Sequence, residues 1–151
     1  MLIGVISDTH GLLRPEALAA LQAAEHIIHA GDVGSPDILE RLRAIAPVSA
    51  VRGNVDRGPW AMALPENEVC EFGGIAIYVL HDLAELGLNP ASAGFKVVIS
   101  GHTHQPRVEI MRGVLYLNPG SSGPKRFRLP ITVAHLTIEA AQPRAEIIEI
   151  A

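Results

Sequence analysis

The chain has 151 residues, of which 48% are apolar, and a formal net charge of −4. Its length predicts one domain over residues 1–151, because domains typically have about 100–200 residues, and its apolar content is sufficient for a buried core and argues against disorder. The negative charge argues against general nucleic-acid binding, which needs a positive surface to neutralise phosphates.

The first half of the sequence alternates predicted strands with predicted helices. Proline stands in the first turn of both helices, where its missing N–H is tolerated, and Ser35 suits the N-cap of the second. Strand–helix–strand units at this spacing predict a parallel sheet. The strands are Leu2–Ser7, Ile27–Ala30 and Val48–Arg52, and the helices are Pro15–Ala24 and Pro36–Ala44.

The second half favours antiparallel pairing. Gly73-Gly74 and Arg112-Gly113 each separate two apolar runs by two residues, which is typical of a β-hairpin. Near the C-terminus, Gln142-Pro143 is expected to interrupt the β-structure and so separate the last two strands. An α/β fold with two facing mixed β-sheets flanked by helices would bury all these strands. The predicted strands are Asn67–Phe72, Ile75–Leu80, Lys96–Ser100, Val108–Met111, Val114–Asn118, Ile131–Ile138 and Ala145–Ile150.

Five predicted strands are each followed by an Asp, His or Asn side chain. A carboxylate or imidazole is costly to bury unless it is paired, hydrogen-bonded or bound to a metal. In open α/β sheets, ligands bind outside the carboxyl ends of the strands. These side chains are therefore candidate ligands: Asp8, His10, Asp32, Asn54, His81, His102 and His104.

The segment Gly101-His102-Thr103-His104 is the most informative of these fragments. Side chains at i and i+2 of an extended segment point to the same side, so we expect His102 and His104 to converge on one point. A single such fragment is more often structural, but five in one small chain are not independent accidents. Three histidines within strand patterns are predicted to be structural: His26, His29 and His135.

The ligand types narrow the choice of metal. Carboxylates and imidazoles without thiolates suit Mn²⁺, Fe²⁺, Co²⁺, Ni²⁺ or Zn²⁺, and we expect Mn²⁺ first among these. Seven candidates are too many for one ion that must keep an open position. They suit two ions about 3.5–4 Å apart that share a carboxylate, an arrangement used for phosphoester hydrolysis.

The order of these motifs resembles that of the calcineurin-like metallophosphoesterases. Gly53-Asn54-Val55-Asp56 and Asn118-Pro119-Gly120-Ser121 are similar to strings in the small bacterial and archaeal phosphodiesterase branch. The resemblance runs from Leu2 to about Ile138 and implies the four-layer αββα sandwich of that family. It also implies that the Asn118–Ser121 turn supports the metal-binding loops. The implied ligands are Asp8, His10, Asp32 and His104 for one ion and Asp32, Asn54, His81 and His102 for the other, with Asp32 bridging.

The resemblance implies a metal-dependent phosphodiesterase acting on a small phosphodiester. Two ions would activate a hydroxide that attacks phosphorus in line, with no catalytic residue beyond the ligands; Asn54, His81 and His102 are also candidate phosphate contacts. The alternatives are a phosphomonoesterase or protein phosphatase, and a non-catalytic scaffold on the same fold. The sequence leaves a homo-oligomer open.

Two departures from the family pattern bear on the reaction. Val55 stands where many members have a histidine that assists the leaving group, so good leaving groups are expected to be favoured. At His81-Asp82-Leu83 the family usually has His-Gly-His. Asp82 is predicted either to orient His81 or to be exposed to solvent, and Leu83 removes an imidazole that commonly lines the substrate side.

Two features each have two interpretations. The basic segment Lys125–Arg128 is interpreted as a solvated loop in preference to an anion-attracting rim, and Trp60 as a packing residue in preference to a substrate contact.

The sequence also bears on where the protein is located. No apolar run approaches the ~18 residues that span a bilayer, and no secretory signal is recognisable. Cys70 is alone and cannot form an internal disulfide, so we expect a cytoplasmic protein without membrane contact.

Overall fold

Ten strands form two mixed five-stranded sheets, as the sequence predicts. The computed structural model describes the whole chain, Met1–Ala151. The strands are β1 (Leu2–Ile6), β2 (His26–His29), β3 (Val48–Ala50), β4 (Asn67–Phe72), β5 (Ile75–Leu80), β6 (Phe95–Ile99), β7 (Arg107–Met111), β8 (Val114–Asn118), β9 (Thr132–Glu139) and β10 (Gln142–Glu149). The sheet orders are β10-β9-β1-β2-β3 and β4-β5-β6-β8-β7. In each sheet three neighbouring strands are parallel, namely β1, β2 and β3 in one and β5, β6 and β8 in the other.

The helices are short and begin with proline. They are α1 (Pro15–Leu21), α2 (Pro36–Arg43), α3 (Pro59–Met62) and α4 (Pro90–Ala93), with a 3₁₀ helix at Leu83–Glu85. Ser35 caps α2 as predicted, since its side chain accepts the N–H of Asp37. The helix α1 ends three residues before the predicted Ala24. The last three helices were not predicted, because one turn is too short to show apolar periodicity.

Apolar side chains fill the space between the sheets and cover the outer face of the first sheet. The inter-sheet core includes Val5 and Ile28 from one sheet and Ile77 and Ile99 from the other. A second cluster packs α1 and α2 against the first sheet, and a small third cluster lies around Val98 on the second sheet. Alternate residues of each strand therefore face different layers, giving the helix–sheet–sheet–helix arrangement.

The predicted break at Gln142-Pro143 is wrong. The turn between β9 and β10 is formed by Ala140 and Ala141, which have φ of 51° and 59°, and Pro143 pairs with Ile138 inside β10. Proline is tolerated there because β10 is the edge strand of its sheet, where a missing N–H need not interrupt the hydrogen-bond ladder.

The parallel strands of both sheets end at the same edge of the sandwich. The loop after β1 is joined to the loop after β2 by the Asp8 N–H, which donates to the Gly31 carbonyl at 3.0 Å. The loops after β5 and β6 are joined by the Gly101 N–H and the His81 carbonyl at 2.9 Å. Six of the seven candidate ligands lie on these four loops, and Asn54 lies on the loop after β3. None of the helices has the length and apolar character that crossing a membrane requires.

Candidate metal centre

The backbone turns sharply where the candidate ligands leave their strands. Left-handed φ values are uncommon for residues other than glycine and cost on the order of 1–3 kcal/mol each, so they persist mainly where surrounding structure enforces them. Five of the seven candidates adopt this conformation: Asp8 (φ 55°), His10 (48°), Asp32 (55°), His102 (71°) and His104 (64°). The loops thus direct these side chains to one edge at a conformational cost.

Five of the candidates form two overlapping clusters of metal-binding type. One contains Asp8, His10 and His104, and the other contains Asp8, Asp32 and His81. In the first, the His104 Nε2 lies 3.3 Å from Asp8 Oδ1 and 3.3 Å from the His10 Nε2. In the second, the His81 Nε2 lies 3.1 Å from Asp32 Oδ2.

The other two candidates lie at the exposed side of the second cluster. The His102 Nδ1 is 3.3 Å from Asn54 Oδ1, and the His102 ring stands edge-on to that of His81, with centroids 5.3 Å apart. The prediction that His102 and His104 converge on one point is therefore wrong. The segment is not extended, and the two left-handed residues direct His102 toward His81 and the buried His104 toward His10.

Asp32 and Asp8 both lie between the histidines. Asp32 Oδ2 is 3.1 Å from the His81 Nε2 and 3.7 Å from the His10 Nε2, while Oδ1 accepts the Val55 N–H at 3.0 Å. Asp8 Oδ1 also reaches the His10 and His81 Nε2 atoms, at 3.8 and 3.9 Å. The Asp32 position suits a carboxylate shared by two ions. Asp8 also lies near histidines of both clusters, although the family resemblance implies that it binds only one ion.

The centre fits divalent cations on the chemistry of its own atoms. Asp8 Oδ1 and His81 Nε2 are buried and have no hydrogen-bond partner, although such an unpaired buried group costs about 1–3 kcal/mol. Both atoms face the other candidate ligands. A cation bound among them would satisfy both, and oxygen and imidazole donors together suit the transition metals named above.

The charges of the centre support the same conclusion. Burial raises the pKa of the Asp8 carboxyl, but the adjacent His104 imidazole and the Ser7 hydroxyl outweigh it and leave this pKa lowered. Burial also raises the pKa of Asp32, and the adjacent His81 imidazole and the Val55 N–H reverse that effect. Burial lowers the pKa of His10. At neutral pH the centre therefore combines two carboxylates with an imidazole whose lone pair is free to bind a cation.

Hydrogen bonds hold the two central ligands in place. The Ser7 hydroxyl and the His102 N–H donate to Asp8 Oδ2, at 2.6 and 3.1 Å. The His81 Nδ1–H donates to the Ala30 carbonyl at 2.7 Å, which leaves Nε2 as the acceptor nitrogen that faces the centre. A partner of this kind fixes the orientation of a ligating ring. Burial lowers the pKa of His81, but Asp32 and Asp8 outweigh it, so the pKa is raised in the metal-free chain.

Asp56 supports the loops of the centre, a role that its sequence context does not predict. Its buried carboxylate accepts three backbone N–H groups, those of Gly53 at 2.9 Å, Gly34 at 2.9 Å and Val33 at 3.2 Å. These contacts join the loop that bears Asp32 to the loop that bears Asn54. Its only sequence signal was its place in the Gly53–Asp56 string.

The Asn118–Ser121 turn supports the loops, as predicted. The Asn118 side-chain amide donates to the Gly101 carbonyl and to Thr103 Oγ1, at 3.0 and 3.1 Å. The Ser121 hydroxyl donates to the Asp8 carbonyl at 2.9 Å. Two loops that carry ligands are therefore fixed by one turn.

The prediction that Asp82 orients His81 is wrong, and the alternative that Asp82 is exposed to solvent holds only in part. The Nδ1 of His81 is occupied by Ala30, and the half-buried Asp82 has its Oδ2 3.7 Å from the His102 Nε2. Asp82 Oδ1 accepts the Ala84 N–H and so caps the 3₁₀ helix. Leu83, the other departure, packs against the small apolar cluster on the outer face of the second sheet.

The residues predicted to be structural make structural contacts. The His26 ring is 2.8 Å from Ser49 Oγ, the buried His29 bonds Thr9 Oγ1 and the Gly31 N–H at 3.1 Å, and His135 donates to the Ala20 carbonyl. Trp60 packs against the cluster beneath α1 and α2. These confirm the predicted structural roles.

The basic segment Lys125–Arg128 is exposed and lies near the first cluster. Phe127, in the middle of it, is 92% exposed. The positive charge of Arg126 contributes to the lowered pKa of His10, after the larger effect of burial. The segment is solvated, as expected, and its positive charge also acts on His10 of the centre.

Comparison with known families and proteins gives consistent relationships. Residues 1–141 match the calcineurin-like phosphoesterase superfamily domain. A probable metallophosphoesterase of Methanothermobacter thermautotrophicus is 40% identical over 160 aligned positions, covering 98% of this chain and 92% of that protein. The probable metallophosphoesterase YsnB of Bacillus subtilis is 32% identical, covering 89% of this chain and 83% of that protein.

Solved structures share the whole fold. An archaeal phosphodiesterase superposes with a TM-score of 0.81 and 26% identity, covering 98% of this chain and all of that one. Chaetomium thermophilum Vps29 has the same TM-score with 16% identity, covering 99% of this chain and 97% of that one. The second likeness concerns the fold alone.

Proposed function

The chain belongs to the calcineurin-like phosphoesterase superfamily, and we propose that it is a phosphodiesterase that works with two divalent ions. The observation that supports this most directly is the buried centre in which Asp8 Oδ1 and His81 Nε2 face the other candidate ligands but make no hydrogen bond. A purely structural cluster would be expected to pair such atoms within the chain.

The residues that would hold the ions follow from their positions. Two divalent ions, when bound, would polarise phosphoryl oxygens and lower the pKa of water. Asp32 would be shared, because its Oδ2 faces histidines of both clusters. The remaining ligands would be Asp8, His10 and His104 for one ion and Asn54, His81 and His102 for the other.

The chain itself supplies orientation and contact with the substrate. Asn54 and His102 are exposed, whereas Asp8, Asp32, His81 and His104 are buried. The exposed pair is therefore where a phosphoryl oxygen can approach and be held. The buried carboxylates are shielded from water, which strengthens their attraction for cations.

Val55 supports a diester with a good leaving group as the substrate. Its side chain is 44% exposed and cannot transfer a proton, and its N–H is already used by Asp32. Leaving groups that are stable as anions need no such proton. A phosphomonoesterase is the enzymatic alternative, and a scaffold on the same fold is the non-catalytic one.

A substrate comparison with the Mn²⁺-loaded protein tests the proposal. We expect a p-nitrophenyl diester to be hydrolysed faster than an alkyl diester and faster than p-nitrophenyl phosphate. Asp32→Ala should abolish the activity and lower the metal content at both sites, whereas Asp37→Ala, an exposed carboxylate on α2, should leave both unchanged. Preference for the monoester would favour a phosphomonoesterase, and no hydrolysis with Mn²⁺, Zn²⁺, Ni²⁺, Co²⁺ or Fe²⁺ would favour a scaffold.

A further inference from the structure

A polar cleft opens from the exposed side of the metal centre. Its volume is about 650 Å³, and its lining includes Asn54, His81 and His102. Sites for small ligands commonly measure about 300–1,000 Å³. A diester with its phosphorus at the centre would therefore have room for one of its two substituents in this cleft.

The lining of the cleft is polar and carries both signs of charge. Of its 13 residues, two are hydrophobic, two are arginines and four are acidic, so its formal charge is −2. Arg52 is paired with Glu66, with Nη2 and Oε1 2.9 Å apart, whereas Arg57 is exposed and has no acidic partner. The cleft thus offers hydrogen-bond donors and acceptors without a net positive field.

These properties select among the kinds of substituent. A second phosphate would meet net negative charge, and an apolar group would find few apolar contacts. A neutral group rich in hydroxyls fits, because each hydroxyl can donate to a carboxylate and accept from an arginine or an amide. Arg57 and Asn67 are exposed donors in the lining, and Asp82 and Glu85 are acceptors.

We propose that the cleft binds an uncharged, hydroxyl-rich substituent of the diester, such as the ribose of a nucleoside or a glycerol, through Arg57 and Asn67. The inference rests on the proposed function, since it places that substituent beside a phosphodiester held at the metal centre.

Three p-nitrophenyl diesters test this proposal. They share a leaving group and differ in the second substituent, which is uridine attached through its 5′ oxygen, glycerol, or methyl. With the Mn²⁺-loaded protein we expect kcat/KM to be at least about 10-fold higher for the uridine or the glycerol diester than for the methyl one. Preference for only one of them identifies the source of the hydroxyls, and equal values for all three overturn the proposal.

Variants locate the substituent. Arg57→Ala and Asn67→Ala should each reduce the preference over the methyl diester by about 3–10-fold, the effect of losing a hydrogen bond. Arg144→Ala, an exposed arginine on β10, is the matched control and should leave the preference unchanged. A preference lost in Phe127→Ala but kept in Arg57→Ala and Asn67→Ala would put the substituent on the basic segment and overturn the proposal.

A binding measurement separates this inference from the proposed function. If no diester is hydrolysed, the proposed function fails, and calorimetry with uridine 5′-phosphate, glycerol phosphate and methyl phosphate decides about the cleft. Tighter binding of either of the first two, weakened by Asn67→Ala, supports the inference. Equal affinities for all three overturn it.

Discussion

The histidines of the centre differ in how each is held. His81 is fixed by the Ala30 carbonyl through Nδ1 and faces the centre with Nε2. His102 has the opposite orientation, with Nδ1 toward Asn54 and Nε2 toward Asp82. Its Nε2 and the Asp82 Oδ2 are 3.7 Å apart, which is too long for a hydrogen bond but close enough for electrostatic attraction. Asp82 is thus placed to favour the orientation of His102 in which Nδ1 faces the second cluster.

We predict that Asp82→Asn weakens one of two Mn²⁺-binding steps by about 10-fold, the lower end of the usual cost of losing a carboxylate behind a ligating histidine. Asparagine can still cap the 3₁₀ helix, so the free energy of unfolding should change little. Titration calorimetry measures both steps, and Glu71→Gln, an exposed carboxylate on β4, is the control. Two unchanged affinities would leave Asp82 with the capping role alone.

The loops that carry the ligands are held together by buried side-chain hydrogen bonds. Asp56 joins the loops after β2 and β3 through three N–H groups, and Asn118 and Ser121 join those after β6 and β1. Close packing adds to this, since a Cβ on Gly53 would lie 2.1 Å from the Asp32 backbone nitrogen. These hydrogen bonds and close contacts hold the backbone of residues such as Asp32 in the left-handed conformation.

Asp56→Ala should lower the free energy of unfolding by about 3 kcal/mol or more. The reason is that an unpaired buried group costs about 1–3 kcal/mol, and the substitution would leave three backbone N–H groups without their acceptor. Urea denaturation of the metal-free protein measures the change. Asp37→Ala on α2, which removes a surface ion pair with Arg41, should cost less than about 1 kcal/mol. Similar losses in both variants would show that Asp56 does not support the loops.

The whole molecule places the centre over a core that excludes charge. His29 is fully buried, and this burial lowers its pKa from 6.5 to about 4. The unfolded chain therefore binds a proton near pH 6.5 that the folded chain does not bind until about pH 4. The stability contributed by neutral His29 is complete above pH 6.5 and is lost as the pH falls toward 4.

We accordingly predict that the metal-free protein loses stability between pH 6.5 and 4, by about 3 kcal/mol from His29 at about 1.4 kcal/mol per pKa unit. Urea denaturation in the presence of a chelator, at several pH values, measures this slope. His29→Gln cannot titrate and should flatten the slope, even if it is less stable at pH 7. An equal slope in the variant would assign the pH dependence to other groups.

Local patterns along the chain were enough to predict the strand pattern, the two mixed sheets and the set of seven candidate ligands. They could do so because apolar alternation, proline and glycine positions and polar residues after strands are local signals. The family resemblance came from the same residues. The shift of a strand boundary by a few residues, as at Gln142-Pro143, did not change the topology.

The orientation of the ligands and the groups that support them depend on contacts between distant parts of the chain. His102 and His104 are two residues apart yet face different clusters, because the loop is left-handed at both. Asp82 contacts His102 and not the adjacent His81, and Asp56 binds N–H groups more than 20 residues away in the chain. Such contacts depend on loops from two sheets meeting at one edge, and no local pattern in the sequence encodes that meeting.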